Sequence, residues 1–414
     1  MLNEVTRQFI REHRSDDVRQ LALQFKPSPD SEIDLTAALT QIAGRQAIAH
    51  KILSWYEQEE ILYPARLPLE QCSSEAAARY KASLLSGDSF VDLTGGFGAD
   101  TAFIAPRFRQ IHYVERQAEL AAIAQYNFAV LGLNHIQTHN ADGVDFLKTM
   151  QPVDCLYVDP ARRSTAGKKV VRIEDAEPNI VAIQDLLLDK AENVLIKLSP
   201  MLDIHAALKA LKNVKQIHIV SVDNECKELL FLLLRDFTGE PEIICVNMTS
   251  PQPLPQPLST RRGEIEERGN TFSLSEEKNT SISYTSDVKE YLYEPNASLM
   301  KSGCYKSLGL RYAVDKLHPD SHLYTSSHYL PDFPGRVFQV EDVSSFNKKD
   351  LKALLHNTNQ ANISIRNFPL TVEQLRKQLK IKEGGEIFLF ATTLANGQHL
   401  LLKTTNMNTL AQYL

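Results

Sequence analysis

Four short segments carry residue types that could do chemistry together. The first, Phe90-Val-Asp92-Leu-Thr94-Gly95-Gly96-Phe97-Gly98-Ala-Asp100-Thr101, reads as a buried strand that ends at an acid and turns through glycines into a helix. Glycines at such a turn let a ligand lie against backbone that a side chain would block. The second, Ile111-His-Tyr-Val-Glu115 followed by Arg116, ends in an acid placed to accept both hydroxyls of a ribose. The third, Asn140-Ala-Asp142-Gly143, offers Asp142 to an adenine amino group. The fourth, Leu156-Tyr-Val-Asp159-Pro160-Ala161-Arg162-Arg163, starts its loop with an acid and a proline. Loops that follow successive strands of a wound sheet meet outside its carboxyl edge, where such folds put their ligands.

The elements that must hold these loops are short apolar runs alternating with helix-length segments. The runs are Phe90 to Leu93, Gln110 to Glu115, Ile136 to His139, Cys155 to Asp159, Val194 to Leu198, Gln216 to Val222 and Ile243 to Met248. This alternation predicts an α/β class with a wound, mainly parallel sheet. Upstream, Leu35, Leu39, Ile42, Ile52 and Tyr56 recur at helical spacing behind Asp34 as N-cap, which predicts a helical region over residues 1–70. Trp55 and Tyr56 read as core, and Ser73, Ser74 and Glu75 as the start of a capped helix bordering the ligand. Cys226 falls in an apolar pattern of helical type and reads as core; His112 and His218 read as packed strand residues. The prolines from Pro251 to Pro257 predict a linker over 251–280, in which Arg261 to Arg268 is either a hairpin or a tether. Further on the pattern is mixed α and β. Pro331 and Pro334 mark another boundary, followed by a helix from Thr371 to Leu379 and strands at Ile387 to Ala391 and His399 to Lys403.

The chain has 414 residues, 43% hydrophobic and 23% charged, which excludes a disordered or fibrous protein and predicts several domains. A formal charge of -6 means that the whole molecule does not attract polyanions, so any nucleic-acid contact must use a local basic surface. The cysteines Cys72, Cys155, Cys226, Cys245 and Cys304 are scattered, which predicts neither a disulfide framework nor a zinc knuckle and fits a reducing compartment. Glu4, Arg7, Arg11, Glu12 and Arg14 leave no room for a secretory signal, and Leu229 to Leu234 is too short to cross a bilayer. The expectation is a cytoplasmic protein with no membrane contact.

The ordered set of four loops resembles the class I S-adenosylmethionine-dependent methyltransferases over roughly residues 70 to 250. The resemblance implies a Rossmann-like sheet and S-adenosylmethionine as cofactor, with no metal and no covalent intermediate. It implies that Asp92, Thr94, Gly95, Gly96, Phe97 and Gly98 hold the methionine end, Glu115 and Arg116 the ribose side, and Asp142 and Gly143 the adenine side. It makes Asp159-Pro160, with Arg162 and Lys197, the catalytic group. An NAD dehydrogenase would share the strand, turn and ribose acid, but its fingerprint needs a third glycine where Thr101 stands.

Gln71-Cys-Ser-Ser-Glu75, Lys197-Leu-Ser-Pro-Met-Leu-Asp203 and Glu225-Cys-Lys-Glu-Leu-Leu230, taken with the glycine and Asp-Pro loops, resemble the bacterial methyltransferase family carrying a THUMP-like domain. That resemblance divides the chain into a helical region (1–70), a methyltransferase domain (71–250), a linker (251–280), a small ferredoxin-like domain (281–333) and an α+β THUMP-like domain (334–414). Ile363-Ser-Ile-Arg366-Asn-Phe and Leu375-Arg-Lys-Gln-Leu-Lys-Ile-Lys382 suggest the last of these. Because THUMP domains accompany RNA-modifying enzymes, it implies an RNA partner, tRNA or rRNA.

The loop after Asp159-Pro160 departs from amino-directed relatives, since Ala161 and Arg162 stand where a proline and an aromatic ring usually follow. An arginine plane can also stack on a base. Relatives acting on uracil C5 need a cysteine in the next loop, which here reads Lys197-Leu-Ser199-Pro200. Lys197 could orient Asp159 or form a structural ion pair. Arg162, Arg163, Lys168, Lys169 and Arg172 make a basic run that reads either as a phosphate contact or as a solvated loop. Residues 334–414 hold ten lysines and arginines against six acids, an excess compatible with RNA binding. The alternatives are a non-catalytic RNA-binding protein that retains the cofactor fold, and a methyltransferase of protein or small molecules.

Overall fold

The computed structural model describes residues 2–25, 31–162, 172–250 and 269–407, with nothing described for the side chain of Arg162. The chain divides into two compact units, residues 1–241 with 246–269, and residues 242–245 with 270–414.

The first unit opens with helices Glu4–Glu12, Val18–Gln24, Leu35–Ile48, Leu53–Tyr56 and Arg66–Gln71. Asp34 caps the third, accepting from the Ala37 amide at 2.9 Å. Its sheet contains β1 (Ser89–Asp92), β2 (Gln110–Glu115), β3 (Ile136–Asn140), β4 (Val153–Val158), β5 (Ala191–Leu198), β6 (Val214–Val222) and β7 (Glu225–Leu234). Their order is β6-β7-β5-β4-β1-β2-β3. All neighbours from β5 to β3 are parallel, while β7 runs antiparallel to both β5 and β6. The order reverses between β1 and β4, which opens a crevice above their carboxyl ends.

One correction concerns Glu225 to Leu230, where helical spacing was expected around Cys226. The segment is strand β7, flanked by strands on both sides. A strand with both faces buried shows an unbroken apolar run, here Leu229 to Leu233, and such a run carries no period to tell strand from helix.

Residues of the N-terminal helices and their connections share a core with the glycine turn. Ile48, Ile52, Trp55, Tyr63 and Leu69 pack with Phe97, Ala99, Tyr113 and Phe128. Trp55 meets the Phe97 ring edge-on at 4.9 Å between centroids.

In the second unit Glu242–Cys245 pairs antiparallel with Asn270–Ser273, and helix Leu274–Asn279 follows. Of the stretch expected as a linker, residues 251–268, including Arg261 to Arg268, lie outside the described residues. A seven-stranded sheet then runs, in spatial order, Asp315–Lys316, Tyr324–Ser326, Tyr291–Pro295, Gly335–Ser345, His399–Asn406, Ile387–Thr393 and Asn362–Arg366. Helices Lys348–Leu354 and Val372–Leu379 bury Leu351, Leu354 and Leu375 against Leu389, Ala391 and Leu401. Thr371, expected as the first helical residue, is the N-cap of the second of these helices and forms a capping box with Gln374.

The Phe97 contact gives a test of the first unit's core. Phe97→Ala should cost about 3–5 kcal/mol, seen as an earlier urea midpoint in the fluorescence of Trp55, the chain's single tryptophan.

Candidate active site

The C-terminal ends of β1, β2, β4 and β5, with the loop after β3, line one cavity of ≈ 1300 Å³. Asp92 closes β1 with both carboxylate oxygens engaged: Oδ1 accepts from the Thr94 amide at 2.9 Å and Oδ2 from the Thr101 hydroxyl at 2.6 Å. Burial pushes its pKa up to about 7, against the lowering effect of those two hydrogen bonds. Gly96 and Gly98 take positive φ, +56° and +83°, as the turn requires. A Cβ on Gly95 would fall 2.1 Å from the Tyr113 ring, whose hydroxyl donates to the Gly96 carbonyl at 2.5 Å. Phe97 lines the cavity, but its ring belongs to the apolar core.

Glu115 ends β2 with its carboxylate fixed by backbone amides, from Gly96 at 2.9 Å to Oε2 and from Gln117 at 2.8 Å to Oε1. Each oxygen keeps lone-pair capacity for a further donor. Asp142 caps helix Gly143–Thr149 by accepting from Val144 and Asp145. A Cβ on Gly143 would sit 2.2 Å from the Leu93 carbonyl, so only glycine lets the β3 loop lie against β1. Arg116 pairs with Glu177 at 2.8 Å.

Asp159 follows β4. Its amide donates to Thr94 Oγ1 at 2.7 Å, which ties it to the glycine turn, and Lys197 at the end of β5 donates to its Oδ2. Burial opposes the charge on Lys197, but Asp159, Asp100 and Glu228 outweigh it and hold the ammonium well above its ordinary pKa. The contact with Asp159 is common to both sequence readings of Lys197, as a residue that orients Asp159 and as a structural ion pair. Ala161–Arg162 pairs antiparallel with Ala176–Glu177, so the loop after Asp159 begins as a short two-stranded ribbon.

The cavity thus brings together Asp92, Thr94, Gly95, Gly96, Phe97, Gly98, Glu115, Arg116, Asp142, Gly143, Asp159, Pro160, Arg172 and Lys197, all expected at the site. Arg163, Lys168 and Lys169 lie outside the described residues, as does the side chain of Arg162. Cys226 is half-buried and in no disulfide.

Sequence reasoning missed a buried group beneath the cavity. Lys81, with no exposed surface, donates to both oxygens of Glu228 at 2.7 and 2.8 Å and to Ser73 Oγ at 2.9 Å. Ser73 and Tyr157 in turn donate to Asp100 Oδ2 at 2.9 and 2.8 Å. Burial would raise Asp100, yet Lys81, Lys197 and these hydroxyls hold its carboxyl below the ordinary range. The segments containing Ser73, Asp100 and Glu228 stood out in the sequence, but nothing local says that residues 147 positions apart will pair.

Two known families match the second unit: one described as a ferredoxin-like domain over residues 291–334 and one described as THUMP domain-like over residues 335–405. A crystal structure of a candidate methyltransferase from Porphyromonas gingivalis W83 is 33% identical, covering 97% of this chain and 98% of that one at a TM-score of 0.83. The chain belongs to that methyltransferase family. A stretch of 103 residues is also 29% identical to a protein-L-isoaspartate O-methyltransferase of Koribacter versatilis (strain Ellin345), covering 24% of this chain and 46% of that protein. The match thus spans about half the length of that curated relative.

As a class I methyltransferase with C-terminal ferredoxin-like and THUMP-like domains, the protein takes S-adenosylmethionine as cofactor. The residues present fit it. The backbone at Gly95 and Gly143 packs where side chains would collide, and acids stand at the ends of the flanking strands.

Two substitutions probe this architecture. Gly143→Ala should lose about 1–3 kcal/mol through forced backbone movement, read as a lowered unfolding midpoint. Lys81→Met should lose about 3–5 kcal/mol, because it strands the buried Glu228 carboxylate; the same urea titration checks it.

Proposed function

We propose that the protein transfers the methyl group of S-adenosylmethionine to RNA, tRNA or rRNA. The observation that carries the transfer reading is the convergence of Asp92, Glu115, Asp142 and Asp159 on one cavity at the carboxyl edge of the sheet. In this reading Glu115 accepts from the ribose hydroxyls, its carboxylate already oriented by Gly96 and Gln117. Asp142 accepts from the adenine amino group, while Asp92 and the glycine turn hold the methionine end. The cofactor supplies an electrophilic methyl carbon on a sulfonium.

The protein's task is then alignment and exclusion of water. Lys197 holds one oxygen of Asp159, whose side chain stays 34% exposed, so the carboxylate can accept from an acceptor's N–H or O–H. Pro160 and Ala161 flank the acceptor, and Arg172 at the cavity wall meets its phosphate.

Support for RNA comes from the THUMP-like match over 335–405 and from the charge on the two helices of that region. With their apolar sides buried, those helices and the turn after the second expose Lys348, Lys349, Lys352, Lys377, Lys380 and Lys382. Such lysines supply the salt-dependent phosphate term that the acidic chain as a whole lacks.

Three outcomes test the proposal. Labelled S-adenosylmethionine incubated with undermethylated total RNA should leave label in RNA; label found instead in protein or small molecules refutes the RNA acceptor, and no transfer refutes turnover. Replacing Lys348, Lys352, Lys377 and Lys380 by glutamate should weaken RNA binding at least tenfold and flatten its salt dependence in filter binding. Cofactor affinity should rise with pH between 6 and 8, because Asp92, near pKa 7 when the cavity is empty, binds a cation better once ionised. Calorimetry in buffers of different ionisation enthalpy should therefore show proton release on binding near pH 7, abolished in Asp92→Asn.

A further inference from the structure

The buried group beneath the cavity is unbalanced in charge. Among the described residues, Asp100, Asp159 and Glu228 share two ammonium groups, Lys81 and Lys197. Lys81 is divided between Glu228, which takes two hydrogen bonds from it, and Asp100 Oδ1, which it approaches at 3.2 Å without a hydrogen bond. That oxygen is buried and has no hydrogen-bond partner among the described residues. One negative charge is left over, and Asp92, 1% exposed on the same wall, adds a second where it ionises. The six side chains act on one another: Asp100 and Asp159 both push Asp92 up, and Asp100, Asp159 and Glu228 all hold Lys197 charged. Asp92, Asp100, Asp159, Lys197 and Glu228 all line the cavity.

Resting on the cofactor reading above, we infer that this excess negative charge makes Glu228 and its partners a specificity determinant, favouring the cationic sulfonium cofactor over its neutral thioether product. Methyl transfer removes the positive charge from sulfur as the carbon–sulfur electron pair returns to it. A cavity with uncompensated carboxylates holds the two states unequally, since nucleoside, sugar and amino-acid contacts are the same in both. The product is therefore released more readily than the substrate. One uncompensated charge near a bound cation, in a medium of effective dielectric about 20, changes binding by about tenfold once solvent screening is allowed for. Glu228 acts here without touching the ligand. It sets the net charge of the group through Lys81, and in that sense is a positioning residue.

The test is calorimetry on the full chain with S-adenosylmethionine, S-adenosylhomocysteine and sinefungin, which carries an ammonium in place of the methyl sulfonium. Wild type should prefer S-adenosylmethionine and sinefungin over S-adenosylhomocysteine. Glu228→Gln should lower the ratio of S-adenosylmethionine to S-adenosylhomocysteine affinity about tenfold. The double variant Lys81→Met/Glu228→Leu, which removes one charge of each sign, should bring the ratio back to the wild-type value. A merely structural role would instead make the double variant as defective as the single one. An unchanged ratio in Glu228→Gln with both ligands bound overturns the inference and leaves the cofactor reading intact. If Glu228→Gln does not fold, equal affinity of wild type for sinefungin and S-adenosylhomocysteine overturns it equally. Wild type that binds none of the three overturns the cofactor reading itself and the inference with it.

Discussion

A lysine with no exposed surface must be paired, because an ammonium left alone in the interior costs far more than one domain's margin of stability. Lys81 meets that requirement only where four elements meet. Its own helix, Glu75–Leu84, brings the ammonium; β7 brings Glu228; the helix after the glycine turn brings Asp100; and Ser73, just ahead of the helix, supplies the hydroxyl that accepts from Lys81 and donates to Asp100. Tyr157 on β4 completes the set. The pairing therefore ties the antiparallel strand β7, helix Glu75–Leu84 and the helix after the glycine turn to one another. The cavity lies above that junction, so its shape depends on a polar interaction as well as on apolar packing.

How much of this could be read from sequence follows from the range of each signal. The strand, acid and glycine turn at Asp92 to Gly98 was legible because a tight turn, a buried strand and a helix start are specified by adjacent residues. The same holds for Glu115, Asp142 and Asp159, each of which ends or follows a strand with its own local apolar pattern. Strand β7 was misread because it is buried on both faces, and its leucine-rich run has neither a period nor β-branched residues to mark it as strand. Lys197 was legible as a candidate partner of Asp159 because each residue ends or follows a strand with its own apolar pattern; the contact itself depends on the pairing of those two strands. The Lys81 group was not legible at all. Its pairings join residues 8, 27, 57 and 147 positions apart, and only the folded sheet brings them within hydrogen-bond distance.

The second unit poses a parallel problem with a different solution. The ferredoxin-like and THUMP-like matches meet between residues 334 and 335, yet the two segments contribute to one sheet, because Tyr291–Pro295 pairs with Gly335–Gln339 across that point. Glu294, 3% exposed, accepts from Arg336 on the adjacent strand and from Arg366, the last residue of the far edge strand. A sheet whose edge strand reaches back to its other half is strongly coiled, as twisted sheets of this size tend to be. Prolines at 331 and 334 thus lie in the connection between Tyr324–Ser326 and Gly335–Ser345, the two strands on either side of Tyr291–Pro295, where one match gives way to the next.

The loop after Asp159 shows why a departure from a family pattern has to be judged in three dimensions. Ala161 and Arg162 stand where relatives directed at amino groups carry a proline and an aromatic ring, and taken singly they look like a loss of function. In the fold these two residues form a ladder with Ala176 and Glu177, and Glu177 is also the partner of Arg116 beyond β2. Small and extended residues suit a paired ribbon, and the ribbon joins the acceptor side of the cavity to the loop that follows Glu115. An aromatic ring presented from a free loop is one way to hold an acceptor flat. A ribbon whose backbone hydrogen bonds are already satisfied is stiffer. The exposed pair between Arg116 and Glu177 adds little stability by itself. Its consequence is geometric, since the loops after β2 and β4 are held at a set spacing across the mouth of the cavity.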